Sequence, residues 1–72
     1  MIFFERLKTL RESNCLTQKQ VSENIGMSET AYQKYEYGKR EPAYKYLLAL
    51  ADCFNVSIDF LVGRTENPEI SK

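Results

Sequence analysis

Residues 28–40, SETAYQKYEYGKR, hold a cluster of side chains with complementary hydrogen-bonding habits. Glu29 accepts, Lys34 donates, and Gln33 does both from one planar amide, while Thr30 offers a hydroxyl and a methyl group. At about 100° per residue along a helix, these four fall within an arc of about 140°, with Tyr37 between them. Ala31, Tyr32 and Tyr35 fall on the opposite arc, which makes the two tyrosines core side chains with hydroxyls reaching the edge. Such a strip suits the edges of nucleic-acid bases. Lysine can donate to guanine O6 and N7, glutamate can accept from the cytosine amino group, threonine can meet the thymine methyl, and glutamine can bond adenine bidentately. Any solvent-facing helix is polar, however, so the neighbouring residues must decide between the two readings.

Gln18 and Ser28 fall at or beside expected helix N-termini, where amide groups and short polar side chains hold phosphates. Lys39 and Arg40 follow the third helix directly and could neutralise a phosphate backbone beside the groove. Taken alone, that pair reads equally as a solvated loop.

The elements that must position these residues are helical. Phe3, Leu7 and Leu10 recur at helical spacing and predict an amphipathic first helix over residues 2–13, with Glu5, Arg6, Lys8, Arg11 and Glu12 between them. Thr17 followed by Gln20 forms a capping-box pattern, Val21 and Ile25 supply an apolar edge, and Gly26 stops the second helix. Ser28 caps a third helix that runs to about Tyr37 and closes at Gly38. Pro42 predicts the start of a fourth helix near its first turn, with Leu47, Leu50, Ala51 and Phe54 as its buried stripe. Ser57 caps a short fifth helix with Ile58, Leu61 and Val62, ending at Gly63. No run alternates with period two, so the expectation is an all-α bundle of five helices, residues 1–63. A polar, mobile tail is expected over residues 64–72.

The 72 residues leave room for one domain, and 43% hydrophobic against 28% charged residues is a globular composition. The formal net charge is zero, but residues 1–45 carry eight Lys/Arg against six Asp/Glu, so the basic excess lies with the polar strip. Cys15 and Cys53 have no metal-ligand spacing, and the chain lacks histidine, which points to free thiols in a reducing cytoplasm. Ile2-Phe3-Phe4 runs straight into Glu5 and Arg6, predicting no signal peptide, and the longest apolar run, Leu47–Ala51, is too short to span a membrane. With no histidine, serine elbow, glycine-rich phosphate loop or metal cluster, an enzyme is the least expected class, and no cofactor or small-molecule ligand is expected.

Four linked motifs add to this reading: Leu16-Thr17-Gln18, the Gly26 turn, Tyr35-Glu36-Tyr37-Gly38-Lys39-Arg40-Glu41-Pro42, and Asn55-Val56-Ser57-Ile58-Asp59-Phe60-Leu61. Together they resemble the Cro/C1-type helix-turn-helix family of phage repressors and small bacterial regulators, over Phe3 to Gly63. The resemblance implies a five-helix, lambda-repressor-like DNA-binding fold whose third helix is the recognition helix. It implies that the positions of Glu29, Thr30 and Lys34 read bases, with Gln33 less regularly a reader. It also implies that Gln18, Ser28 and the loop of Lys39 and Arg40 hold phosphates. Arg11 and Glu36 match a pair that members use as a partly buried salt bridge. Two positions depart from the family. Glu29 brings a negative charge where glutamine, arginine or serine is usual, and Tyr37 replaces a small polar residue, to lie along a backbone sugar or simply exposed.

The leading expectation is thus a sequence-specific transcriptional regulator, most simply a repressor binding a palindromic operator in double-stranded DNA as a homodimer. Phe4, Tyr46, Leu48 and Phe60 look surplus to one core and are the expected dimer contacts, unless the monomer partly buries them. The alternative is a protein-interaction or antitoxin-like module with the same fold.

Overall fold

The computed structural model describes residues 1–70, and these contain five helices and no strand. In chain order they are α1 (Phe3–Ser13), α2 (Gln18–Ile25), α3 (Glu29–Glu36), α4 (Tyr44–Phe54) and α5 (Ile58–Leu61). Three helices start where a short polar side chain closes the first turn. Thr17 Oγ1 accepts from the Gln20 N–H at 3.0 Å while Gln20 Oε1 accepts from the Thr17 N–H at 2.8 Å, a complete capping box. Ser28 Oγ accepts from the Ala31 N–H at 3.1 Å, and Ser57 Oγ from the Phe60 N–H at 3.0 Å. Each such cap contributes about 1 kcal/mol.

All five helices end in the same way. A residue in the left-handed region follows the last turn, and its own N–H and the next one bond back onto the final carbonyls. Those residues are Cys15, Gly26, Gly38, Asn55 and Gly63. After α2, for example, the Met27 N–H reaches Ser22 O at 2.9 Å and the Gly26 N–H reaches Glu23 O at 3.2 Å. Only glycine takes this conformation without a steric cost, and at Gly26, φ +79°, it sets the turn between α2 and α3. Cys15, φ +56°, is the unexpected member, because it carries a side chain in a region that disfavours one.

One start differs from expectation. Helix α4 begins at Tyr44 with Ala43 in the cap position and no side-chain cap, so Pro42 lies just outside the helix rather than in its first turn. The ring there is half-buried and borders a cavity shared with Phe4, Tyr35 and Leu47.

The core forms where the five apolar stripes meet. Leu7, Val21, Tyr32, Leu50 and Leu61 are fully buried, joined by Ile25, Tyr35, Ala51, Phe54 and Val56. Tyr32 and Tyr35 pack edge to face with ring centroids 6.3 Å apart, so both rings lie inside. Arg6 is also buried, on a helix face that its charge assigns to solvent. Its guanidinium lies 3.8 Å above the Phe60 ring, and Nη2 donates to both Glu66 carboxylate oxygens at 3.1 and 3.0 Å. The segment after Gly63 therefore runs back towards α1, and the Ser57 N–H donates to Pro68 O at 3.0 Å. The last two residues of the expected tail, 71–72, lie outside the described residues.

Candidate nucleic-acid interface

Helix α3 packs against α2 and α1 and buries Tyr32, Tyr35 and Glu36, which leaves the opposite face outward. Glu29, Thr30 and Lys34 are exposed, and their side chains make no hydrogen bond among the described residues. Gln33, the fourth residue of the polar strip, is half-buried and donates from Nε2 to Gln18 Oε1 at 3.0 Å. It is engaged within the protein, whereas the other three face solvent.

Gln18, first residue of α2, in turn donates from its own Nε2 to Glu36 Oε1 at 3.2 Å. Glu36 is the hub of the site. Its side chain is only 1% exposed and receives Arg11 Nε at 2.6 Å and Arg11 Nη2 at 3.1 Å. The Tyr32 hydroxyl donates to the same carboxylate. This corrects the expectation that the tyrosine hydroxyl reaches the edge of the core. A buried carboxylate needs donors, and Tyr32 lies one turn before Glu36 on the same helix face. The remaining arm of Arg11, Nη1, donates to Leu16 O at 3.0 Å, so the guanidinium ties α1, the α1–α2 turn and α3 together.

The electrostatics follow from these contacts. Burial would push the Glu36 carboxyl up, but the hydrogen bonds from Arg11, Tyr32 and Gln18 outweigh it and hold it below the usual carboxylate range. Arg11 is driven the other way, its hydrogen bond to Glu36 raising an already high value. Burial first, and then the bond to Glu36, push the Tyr32 hydroxyl well above the ordinary phenol range. All three groups keep one protonation state near neutrality.

Outside this hub a cleft of about 540 Å³ opens between α1, the start of α2 and α3, lined by Lys8, Arg11, Leu16, Thr17, Gln18, Glu29, Glu36 and Tyr37. The capping box occupies the Thr17 and Gln20 N–H groups and leaves the intervening Gln18 and Lys19 N–H groups at the helix end, where an anion is favoured. Tyr37 is 57% exposed, and its ring borders the cleft. Ser28 is exposed, its hydroxyl oxygen accepting in the α3 cap while its O–H stays free to donate, and Lys39 and Arg40 are exposed beyond the closure of α3.

Sequence reasoning passed over Lys8, an exposed cation on the cleft wall. Its spacing from Arg11, three residues along one helix, puts the two on a shared face and is the signal that could have found it. Glu29 borders the same cleft, so its charge opposes that of Lys8 there.

Of the four expected dimer contacts, three are half-buried and one is exposed. Tyr46 and Phe60 are half-buried against the core, and the Phe60 ring is covered by Arg6. Phe4 is half-buried beside Gly38. Leu48 alone is exposed, at 38%, two residues from Tyr46 and so on the far side of α4. The described residues contain two free cysteines, no cluster suited to a metal ion, and no helix long and apolar enough to cross a membrane.

Comparison with known proteins agrees with the fold. The family profile described as Helix-turn-helix matches residues 7–61. The uncharacterized HTH-type transcriptional regulator YqaE of Bacillus subtilis is 36% identical over 69 residues, covering 96% of this chain and 60% of YqaE. The cryptic phage CTXphi transcriptional repressor RstR of Vibrio cholerae is 42% identical over 69 residues, covering 92% of this chain and 62% of RstR. The chain thus spans about three fifths of the length of these curated relatives. Among solved structures, the P22 c2 repressor in complex with synthetic operator 9T superposes with a TM-score of 0.82 at 27% identity, covering 86% of this chain and 94% of that one. From the first capping box to the closing turn of α5, fold and sequence agree: the chain belongs to the helix-turn-helix family, of the Cro/C1 type.

Proposed function

We propose that this chain binds double-stranded DNA as a homodimer and regulates transcription, most simply as a repressor. Helix α3 enters the major groove, where Glu29, Thr30 and Lys34 read base edges. Gln18, Ser28, Tyr37, Lys39 and Arg40 meet the flanking phosphates and sugars, with Lys8 beside them. Arg11 and Glu36 hold the recognition helix at a fixed angle to α1. The observation that carries this reading is the set of three exposed, unengaged polar side chains on the outer face of a helix braced from behind. The similar proteins support it: RstR is a transcriptional repressor, and the P22 c2 repressor is seen with an operator.

One domain of this size reads few base pairs, so useful specificity calls for two copies on half-sites about 34 Å apart. Leu48, the exposed member of the four apolar residues considered, is the first choice for the dimer contact. With a net charge of zero, non-specific attraction to DNA is weak and discrimination rests on the base contacts. Neither a cofactor nor a membrane enters this reading, and the site of action is the cytoplasm.

Selection from a random duplex library at moderate salt tests the proposal. Enrichment of an inverted repeat supports a dimeric operator-binding regulator and supplies its target sequence. A folded protein that enriches nothing favours the protein-interaction module instead.

A further inference from the structure

The chain of amides behind α3 has a direction imposed by charge. Ionised Glu36 can only accept, so the Gln18 amide must turn its NH₂ towards Glu36 and its carbonyl away. That carbonyl accepts from Gln33 Nε2 at 3.0 Å, so Gln33 fixes the free end of the Gln18 side chain from the other side. An amide nitrogen carries two hydrogens, and Glu36 takes one from Gln18. The second has no acceptor among the described residues, and the Gln18 side chain borders the cleft that Lys8, Thr17 and Tyr37 also line.

We infer that Gln33 is a positioning residue for the phosphate-binding amide of Gln18, and not a reader of bases. This rests on the DNA-binding reading above and reassigns one member of its polar strip. Held from both sides, Gln18 offers a donor already oriented before DNA arrives, which spares the ordering cost of a free glutamine side chain. Gln33 thus acts on the sugar-phosphate backbone, at one remove.

The test uses the full chain, the duplex enriched in the selection, and a scrambled duplex of equal length. Gln33→Leu keeps the size of a half-exposed side chain and removes the donor, and unchanged thermal melting serves as the control for folding. The expected result is a loss of about three- to tenfold in affinity for both duplexes alike. The base preference at every operator position stays the same, and the salt dependence loses up to about one phosphate contact. In a Gln18→Ala background, Gln33→Leu should have no further effect. A changed base preference at one operator position overturns the inference and makes Gln33 a reader. So does a full effect of Gln33→Leu without Gln18, or no effect on either duplex. Wild-type protein that binds neither duplex removes the DNA reading itself, an outcome separate from all of these.

Discussion

Two arginines five residues apart on α1 solve the same problem with different completeness. Arg11 distributes its donors over Glu36 and Leu16 O, and its carboxylate partner is buried and fully engaged by Arg11, Tyr32 and Gln18. Arg6 is the more deeply buried of the two, yet only one of its nitrogens finds a carboxylate. That partner, Glu66, is 79% exposed, and the Arg6 Nε has no acceptor. The Phe60 ring supplies what attraction remains. Burial of a charge therefore says little about how much a contact holds. The difference lies in whether the partner is also withdrawn from water and in how many donors it collects.

The comparison is broken most severely by removing the cation from the complete site. Arg11→Met leaves Glu36 buried without its counter-charge and should cost about 3–5 kcal/mol in urea denaturation, enough to threaten folding of so small a domain. A loss comparable to that of a surface pair would mean that Tyr32 and Gln18 alone satisfy the carboxylate.

Acid sharpens the contrast, because the sign of its effect should reverse. In the wild type, Glu36 is held below its unfolded value of about 4.3. The associated stability is complete above that pH and is lost as pH falls through the folded value. In Arg11→Met, burial dominates and lifts the carboxyl above its unfolded value, so the variant should recover stability as pH falls through that raised value. Denaturation curves between pH 3 and 7 (with sucrose added if the variant is marginal) would settle the sign.

At the incomplete site, Glu66→Ala should cost no more than about 1 kcal/mol, because water can take the place of an exposed carboxylate. Amide exchange in residues 64–70 should quicken at the same time, the Ser57–Pro68 contact losing its neighbour. A penalty near that of Arg11→Met would erase the distinction between the two sites.

The smallest change leaves both arginines in place. Cys15→Gly relieves the left-handed strain just before Leu16, whose carbonyl Arg11 holds, and should raise stability by up to about 1 kcal/mol. A fall would show that the cysteine side chain, and not only its backbone, supports the turn.

Most of the scaffold was legible because its signals are local. The Thr17–Gln20 box, the Ser28 and Ser57 caps and the glycine closures involve residues within a few positions of one another, and the two core tyrosines follow from helical angle alone. Arg6 was missed although its angle, about 40° from that of Leu10, puts it at the edge of the apolar stripe of α1. Its charge argued for solvent, and its partner stands sixty residues away in a segment without regular structure. The bond from Gln33 to Gln18 was hidden for a related reason. The helical angle puts Gln33 among the polar residues, but whether a polar side chain faces water or a neighbouring helix depends on how the helices cross. Sequence periodicity does not carry that angle.

The outward side chains of α3 bear on how such proteins diverge. Glu29, Thr30 and Lys34 have no bonding duties inside the protein, so replacing them should disturb the fold by no more than about 0.5 kcal/mol. Descendants can thus exchange one target for another through changes at three positions while inheriting the same brace. Gln33 marks the limit of that freedom, since altering it changes how the protein is anchored and not which bases it reads. Selection can rewrite the outer three independently, whereas the fourth must change in step with Gln18.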